Sequence, residues 1–317
     1  MTDFLEQAGW SDAVATPIAG DASARRYARL TKGADSAILM QDPDGDIPRF
    51  CHIARHLLSI GLSAPRILAE APDTLLLEDL GDRLIARLAT DPQTEQTHYL
   101  QATDALIALH AHPPPSGLSV ATPTALAQAT DLAAIHYAAL PELAQPLAAA
   151  LEPVLAAHAM PQAVCVLRDY HAENILDLPG RAGPARAGLL DFQDALVGHR
   201  AYDLASLIFD VRRDLFPGTA EACIQHYCTA TETDRTAFDT AIAVLSAQRN
   251  LRILGVFARL AALRGKPGYL SYLPRTWAHV MTALAHPVLA PVRAVVDQLP
   301  PPTPAYLDTL AQRAGGA

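Results

Sequence analysis

The chain has 317 residues, of which 50% are hydrophobic and 18% are charged. These values are typical of an ordered globular protein with room for two lobes, and they exclude a largely disordered chain. The formal net charge of −9 argues against a general nucleic-acid-binding protein, so we expect no nucleic-acid partner.

The cysteine and apolar patterns favour a cytoplasmic protein. The four cysteines are Cys51, Cys165, Cys223 and Cys228. They form no C-x-x-C pair, and residues 1–20 do not read as a signal peptide, so we expect reduced thiols. No uncharged apolar run reaches the ~18–20 residues that a membrane span needs. We therefore expect a cytoplasmic monomer with no membrane partner.

The first elements along the chain predict a small antiparallel sheet. Residues 2–9 favour a short helix, and residues 14–18 favour a strand. Residues 20–26 form a turn of small residues that leads into an alternating strand, and residues 37–40 predict a second apolar strand.

One helix and two more strands follow before the chain becomes helical. Residues 49–60 have the apolar spacing of an amphipathic helix, which Gly61 ends, and residues 65–69 and 74–77 favour strands. Later helices are predicted over residues 96–112, 126–136, 143–158, 202–210, 220–230, 235–263, 277–285 and 291–299. The Ala/Gly-rich tail is expected to fray.

Residues 164–192 carry the strongest chemical pattern. Two apolar runs flank a polar loop that contains Asp169, His171 and Asn174, and the second run ends at Asp191, 22 residues after Asp169. Phosphoryl transfer needs a carboxylate to orient and deprotonate a hydroxyl, and oxygen ligands to hold Mg²⁺ on the phosphates. Asp169 suits the first role, and Asn174 with Asp191 suits the second. Taken singly, each could equally be a turn residue or a strand-end residue.

The order of these residues resembles a known family. Residues 168–174 read Arg-Asp-Tyr-His-Ala-Glu-Asn and look like the catalytic loop of the aminoglycoside phosphotransferase-like kinases. Residues 191–194, Asp-Phe-Gln-Asp, resemble the family's metal-binding segment, and residues 198–207 resemble the helix start that follows it. The resemblance implies an α+β, bilobal, protein-kinase-like fold. Its N-terminal nucleotide-binding lobe, a small antiparallel sheet, would be residues 1–80, and its mainly helical catalytic and substrate-binding lobe residues 81–317.

The same resemblance implies ATP and Mg²⁺ as cofactors. Asp169 would act on the acceptor hydroxyl, and backbone groups of Glu78 and Leu80 would bind adenine. Asp203 and His171 would support the catalytic loop; Asp203 would be a helix-start carboxylate that favours local backbone N–H groups.

The phosphate-binding residues depart from the usual kinase pattern. Many relatives have a lysine in the strand where this chain has Met40, and the only lysines here are Lys32 and Lys266, both elsewhere. Arginine also binds phosphate well through its planar fork. The nearest candidates for phosphate binding are Arg25, Arg26, Arg29 and the hydroxyl of Ser23. An ordinary hairpin turn at residues 20–26 remains the alternative.

A narrower resemblance concerns the substrate. Residues 20–27, 77–82, 191–195 and 248–257, together with Met40, are similar to the anomeric sugar kinases of bacterial cell-wall recycling. This resemblance implies transfer of the γ-phosphate of ATP to the C1 hydroxyl of N-acetylmuramate or N-acetylglucosamine.

The sugar contacts remain open at this point. N-acetylmuramate carries a lactyl carboxylate, for which Arg249 and Arg252 are candidate ligands, although either could simply cap or solvate a helix. Asp194 could accept sugar hydroxyls or hold its own loop.

Three alternative functions stay open. An acidic chain also suits a cationic aminoglycoside, although Arg249 and Arg252 argue against a carboxylate-lined pocket. A choline-like alcohol would need an aromatic cage, and the chain has only two tryptophans. A nucleotide-binding pseudokinase would explain the missing strand lysine, but the complete set of Asp169, Asn174 and Asp191 argues against it.

Overall fold

The computed structural model describes residues 2–18, 25–43 and 45–315. Most of the predicted turn at residues 20–26, including Ser23, lies outside the described residues. The strands are β1 (Val14–Ile18), β2 (Arg26–Lys32), β3 (Asp35–Gln41), β4 (Ile67–Ala71), β5 (Thr74–Glu78), β6 (Val164–Val166), β7 (Ile175–Asp177), β8 (Ala187–Leu189) and β9 (Leu196–Gly198). The α-helices are α1 (Thr2–Gln7), α2 (Ile47–Ser59), α3 (Ile85–Leu88), α4 (Pro92–His110), α5 (Pro123–Gln128), α6 (Ala144–His158), α7 (Ala201–Ile208), α8 (Thr219–Thr231), α9 (Arg235–Arg264), α10 (Leu273–Ala283), α11 (Ala290–Val296) and α12 (Pro304–Gly315).

The chain packs into two units. The first comprises Met1–Ser116 and Ala172–Ala195, and the second comprises Gly117–His171 and Leu196–Ala317. This division groups residues by packing, and the lobe boundary at residue 80 stays a prediction.

The first unit is built on a five-stranded antiparallel sheet in the order β1-β2-β3-β5-β4. A two-residue turn joins β2 to β3, and it contains Gly33 with φ +61°, the positive φ that such tight hairpin turns require. Leu30, Leu39 and Leu76 are buried on one face of the sheet, where Phe4 and Leu5 of α1 pack against them. The predicted antiparallel sheet is therefore confirmed.

Helix α2 belongs to the same unit and is amphipathic, as predicted. It begins after Asp46, whose carboxylate accepts a hydrogen bond from the backbone N–H of Arg49 at 2.9 Å. Its buried side includes Phe50, Ile53 and Leu57. Burying such a face is the main source of stability for a helix of this length.

The hairpin of β7 and β8 is also part of the first unit. Asp177 in β7 is buried and accepts hydrogen bonds from Arg83 and Arg186, both at 2.8 Å. The bonds from these arginines outweigh burial and hold the pKa of Asp177 at about 2. An isolated β-bridge between Ser63 and Gly188 joins β8, the second strand of the hairpin, to the rest of the first unit.

The second unit is mainly helical and is organised around α9. This 30-residue helix buries Phe238, Leu245 and Leu254, among others. At Gly255 a Cβ atom would lie 2.1 Å from the carbonyl carbon of Leu132, so only glycine fits this contact.

Helix α9 is long and apolar enough to cross a membrane, but 72% of its most apolar window is buried inside the protein. Pro267–Ala283 and Pro287–Val296 together also pass that test, with a bend of 107°. A long helix in the core of a soluble protein has the same pattern.

One helix prediction for the second unit is wrong, and one helix was not predicted. The helix expected over residues 126–136 is divided into α5 and a π-helical turn, Ala133–Ala138. Before the Ala/Gly tail, whose last two residues lie outside the described part of the chain, the structure has α12, which was not predicted; its Tyr306 donates to the carbonyl of Tyr137 at 2.5 Å. That partner lies 169 residues away in sequence, and local composition does not reveal it.

Candidate active site

The predicted catalytic loop follows the short buried strand β6 in the second unit. β6 pairs with β9, and the chain then passes through Leu167 and Arg168 to Asp169, which is half-buried. Arg168 has φ +73°, in the left-handed region. This conformation costs a non-glycine residue about 1–2 kcal/mol, so neighbouring groups must stabilise it.

Asp203 of α7 binds the backbone of this loop. Its carboxylate accepts hydrogen bonds from the backbone N–H groups of Leu167 at 2.6 Å and Arg168 at 2.9 Å. Asp203 is fully buried, and burial raises its pKa to about 7 against the opposing effect of these two N–H groups. The carboxylate therefore links the loop to α7.

The sequence interpretation of Asp203 as a helix-start carboxylate is wrong in one respect. Its two N–H donors come from the loop and not from the first turn of α7. In that first turn, the N–H of Ala201 donates a hydrogen bond to Nδ1 of His199 at 3.1 Å. Burial, followed by the charge of Arg200, lowers the pKa of His199 to about 4, which is consistent with a neutral ring acting as an acceptor.

Arg249 of α9 also contacts the loop backbone. Its Nη2 donates to the carbonyl of Arg168 at 3.3 Å and makes a very short hydrogen bond to the hydroxyl of Ser206. Ser206 donates to the same carbonyl at 3.2 Å, and the guanidinium lies 5.3 Å from the ring centre of Tyr202. These contacts explain how the left-handed residue Arg168 is held.

Arg252 lies about one turn further along α9 and is half-buried. Burial is the largest cause of its lowered pKa; the nearby charges of Arg168 and Arg249 act in the same direction, and Tyr202 and Asp169 oppose them. No carboxylate among the described residues forms an ion pair with Arg252. A cation in this position is suited to an anionic ligand.

The predicted metal ligands lie in the first unit, at one end of the β7–β8 hairpin. Ile175 is paired with Leu189, and the next rung is a hydrogen bond from the N–H of Leu190 to the carbonyl of Asn174 at 2.9 Å. Asp191 follows directly and has φ +54°, also in the left-handed region. The hairpin register therefore brings Asn174 and Asp191 together.

The surroundings of Asp191 fit a hard cation. Its side chain is 45% exposed, and its Oδ1 accepts a hydrogen bond from Gln193 Nε2 at 2.8 Å. The other amide atom, Gln193 Oε1, is buried and has no hydrogen-bond donor among the described residues. No group of three or more His, Cys, Asp or Glu residues in the described part of the chain could hold a metal alone. Mg²⁺ suits such a site because it is usually held by one or two carboxylates together with substrate phosphates.

Arg25 is the candidate arginine that lies beside Asp191. Its Nη1 is 3.6 Å from Asp191 Oδ1, and its Nε donates to Asp42 Oδ2 at 2.6 Å. Asp42 lies so close to Gly45 that a Cβ there would be 1.9 Å from the carboxylate. Burial is the largest single effect and opposes the charge on Arg25, but the bond and charge of Asp42 together with Tyr27 outweigh it and raise the arginine's pKa. Met40, which stands where the family resemblance implied a strand lysine, is fully buried.

The other two arginines are placed differently. Arg26 is exposed at the start of β2. Arg29 donates two hydrogen bonds to Asp79, at 2.7 and 3.1 Å, and two to Asp82, both at 2.8 Å. These carboxylates raise the pKa of Arg29 and compensate its charge. Arg25 is therefore the strongest of the three candidates for phosphate binding.

The remaining predicted site residues stay predictions. Glu78 uses its carboxylate to pair with Arg66 at 3.1 Å and Arg181 at 2.7 Å, and Leu80 is half-buried in the segment that follows. Asp194 is exposed and His171 is buried.

Sequence reasoning missed Asp42, Ser206 and Gln193. Gln193 and Ser206 lie inside the two segments that carry the family resemblance, but neither was given a role, and Asp42 lies outside them. The partners of Asp42 and Ser206 are at least 17 residues away in sequence. All four cysteines are buried, and no disulfide joins them in the described part of the chain.

Comparison with known proteins identifies the family. The model of the phosphotransferase enzyme family matches residues 14–238. A protein of Caulobacter vibrioides named N-acetylmuramate/N-acetylglucosamine kinase is 36% identical, over 94% of this chain and 95% of its own length. A protein of the same name from Pseudomonas aeruginosa is 30% identical, over 95% of this chain and 94% of its own length.

The fold has solved counterparts. The structure of a choline/ethanolamine kinase family protein from Mesorhizobium loti has a TM-score of 0.65 at 17% identity, and covers 93% of this chain and 99% of its own. This likeness supports the kinase-like fold. With the family match over most of the chain, it leads to one conclusion: the chain belongs to the phosphotransferase enzyme family and is a small-molecule kinase with an alcohol group as acceptor.

Proposed function

We propose that this protein transfers the γ-phosphate of ATP to the anomeric C1 hydroxyl of N-acetylmuramate, N-acetylglucosamine or both. The products would be the sugar 1-phosphate and ADP, and the reaction would serve peptidoglycan recycling in the cytoplasm. The observation that carries the proposal is the 36% identity, over 94% of the chain, to a kinase named for these two sugars. The chain also has Asp169, Asn174 and Asp191, the set of residues that phosphoryl transfer with Mg²⁺ requires.

Asp169 is proposed as the catalytic base. It follows a residue whose backbone is held on both sides, by Asp203 at the N–H and by Ser206 and Arg249 at the carbonyl. A carboxylate held in this way can orient the C1 hydroxyl and accept its proton as the bond to phosphorus forms. Positioning and charge stabilisation account for most of the catalysis in phosphoryl transfer.

The residues around Asp191 are proposed to meet the charge of the nucleotide. Asn174 and Asp191 would hold Mg²⁺, which when bound neutralises charge on the β- and γ-phosphates. Arg25 would supply the cation that relatives obtain from a strand lysine, and Asp42 would fix its direction. Arg26, Ser23 and the backbone of Glu78 and Leu80 remain weaker candidates for nucleotide contacts.

The sugar is proposed to be distinguished by charge. The half-buried guanidinium of Arg252, which forms no ion pair with a described carboxylate, suits the lactyl carboxylate that N-acetylmuramate carries and N-acetylglucosamine lacks. Arg249 is engaged by the loop backbone, so we assign it to positioning. Asp194 is exposed and remains a candidate for sugar hydroxyls.

The test is ADP release with ATP and Mg²⁺ over a panel of N-acetylmuramate, N-acetylglucosamine, glucose, kanamycin and choline. ³¹P NMR of the best reaction would identify the phosphorylated oxygen. Turnover of the two N-acetyl sugars with phosphate on C1 is the expected result. Turnover of kanamycin or choline alone would show that the proposed substrate is wrong, and it would leave the proposed roles of the catalytic residues unchanged. Nucleotide binding without turnover of any acceptor would favour a pseudokinase.

A further inference from the structure

The segment that carries Asp191 is held by a residue outside the recognised motifs, Arg49 of α2. Arg49 Nε donates to the carbonyl of Gln193 at 2.7 Å, and Arg49 Nη2 donates to the carbonyl of Ala195, also at 2.7 Å. Both are short charge-assisted hydrogen bonds, and a planar guanidinium can make two of them with a fixed geometry. One side chain therefore fixes the backbone on both sides of Asp194.

A second contact joins the same two segments. Phe50, the next residue of α2, packs on Phe192 with ring centres 4.9 Å apart, and both rings are buried. The backbone of residues 192–195 is thus attached to α2 through an apolar contact and two hydrogen bonds.

These contacts are linked to the metal ligand through Gln193. Its carbonyl accepts from Arg49, and its side-chain amide donates to Asp191 Oδ1 at 2.8 Å. Asp191 itself has a left-handed backbone and an exposed carboxylate, and its Oδ1 also lies 3.6 Å from Arg25 Nη1, a longer contact than the hydrogen bond from Gln193. A residue of this kind keeps its conformation only when the surrounding structure imposes it.

We infer that Arg49 is a positioning residue for the cation site: by holding the carbonyls of Gln193 and Ala195, it directs the Asp191 carboxylate toward Mg²⁺. The inference rests on the proposed function, because it requires Asp191 to bind the cation. Its effect should therefore appear in the dependence on Mg²⁺ and not only in overall activity.

The test compares full-length Arg49→Gln and Arg49→Lys with the wild type in two measurements. The first is the Mg²⁺ concentration that gives half-maximal ADP release at saturating ATP and sugar. The second is the dissociation constant of ADP, measured by calorimetry without and with Mg²⁺. It is expressed as the constant without Mg²⁺ divided by the constant with Mg²⁺. Loss of the charged fork should raise the first value about tenfold and lower the ratio about tenfold. Lysine keeps the charge but not the fork, so its values should be intermediate.

The matched control is Arg55→Gln. Arg55 lies six residues further along α2, is exposed, and pairs with Glu70 and not with the Asp191 segment. Its variant should show wild-type Mg²⁺ dependence. If folded Arg49→Gln shows the wild-type Mg²⁺ dependence and ADP ratio, or loses only thermal stability, the inference is overturned. If that variant does not fold, the same two readings on Arg49→Lys decide.

Asp191→Asn separates this inference from the function on which it rests. In the proposed function this variant loses most of the Mg²⁺ effect on ADP binding. A wild type that binds ADP equally well with and without Mg²⁺ would overturn the proposed cation site. A normal Mg²⁺ effect in the wild type that is lost in Asp191→Asn but kept in Arg49→Gln would overturn the role of Arg49 alone.

Discussion

Arg25 Nη1 lies 3.6 Å from Asp191 Oδ1, while the Nε of the same guanidinium donates to Asp42 at 2.6 Å. The arginine thus has one side fixed by a buried carboxylate and the other side next to the proposed metal ligand. This chain has methionine and not lysine at residue 40, but Arg25 provides a fixed cation beside Asp191.

Arg25→Gln should lower kcat/KM for ATP by ~30–100-fold, because a charge-assisted phosphate contact contributes ~2–3 kcal/mol. Arg25→Lys should retain part of the activity. Lys32→Gln, at the far end of β2, is the control, since Lys32 pairs with Asp12 on the exposed surface. Wild-type kinetics in Arg25→Gln would exclude Arg25 from phosphate binding.

Asp169→Asn should reduce kcat by at least ~10³-fold, because the amide cannot accept the hydroxyl proton. The dissociation constant of ADP with Mg²⁺ should change by less than ~threefold, since Asp169 is not assigned to the nucleotide. Single-turnover assays and calorimetry test the two parts. Loss of ADP binding with residual turnover would contradict the assignment.

Arg252→Met should raise KM for N-acetylmuramate by ~10–100-fold and leave KM for N-acetylglucosamine nearly unchanged, because only the first sugar offers a carboxylate to the guanidinium. Steady-state kinetics with both sugars gives the comparison. Arg264→Met, exposed at the end of the same helix, should alter neither value. Equal effects on both sugars would show that Arg252 supports the fold or the catalytic loop and does not recognise the lactyl carboxylate.

Gly255→Ala should lower the unfolding free energy by ~3 kcal/mol or more, because the new methyl group would overlap the backbone of Leu132. Gly268→Ala is the matched control: a Cβ there meets no atom within 4 Å, so the change should stay within ~0.5 kcal/mol. Thermal denaturation of both variants measures the difference. Similar melting temperatures would show that α9 can move away from Leu132.

The stability of the fold should depend on pH through His199. The unfolded ring titrates at 6.5, and burial lowers the folded pKa to about 4, so the unfolded chain binds the extra proton between these values. The stabilisation is present above pH 6.5 and is lost as the pH falls toward 4, by up to ~3 kcal/mol. His199→Asn keeps an acceptor for the N–H of Ala201 but cannot titrate. Urea unfolding from pH 4 to 7.5 should show a shallower slope in this variant; an equal slope would assign the dependence to other groups.

The sequence was sufficient where function or burial imposes a local pattern. Helical spacing over residues 49–60 predicted α2, and short apolar or alternating runs predicted the strands of the sheet. Apolar runs stand just before Asp169 and just before Asp191, and the structure has the short strands β6 and β8 there. The roles of Asp169 and Asp191 were inferred from residue types together with the family resemblance, and they stay predictions.

The contacts that direct these side chains could not be predicted. The carboxylate of Asp203 binds N–H groups 35 and 36 residues upstream, and Arg49 binds carbonyls 144 and 146 residues downstream. Backbone donors and acceptors are present at almost every residue, so such partners leave no side-chain signature. The choice among Arg25, Arg26 and Arg29 depended on where the carboxylates of Asp42 and Asp79 lie, which is a property of the folded chain.

The left-handed conformations of Arg168 and Asp191 have a consequence for directed evolution. Glycine adopts positive φ without the cost that these residues bear, so glycine at either position would relieve strain. A selection for heat resistance alone would then favour loss of the proposed metal ligand at Asp191, and would enrich stable but inactive proteins. Thermostable variants of this enzyme should therefore be selected under simultaneous demand for turnover.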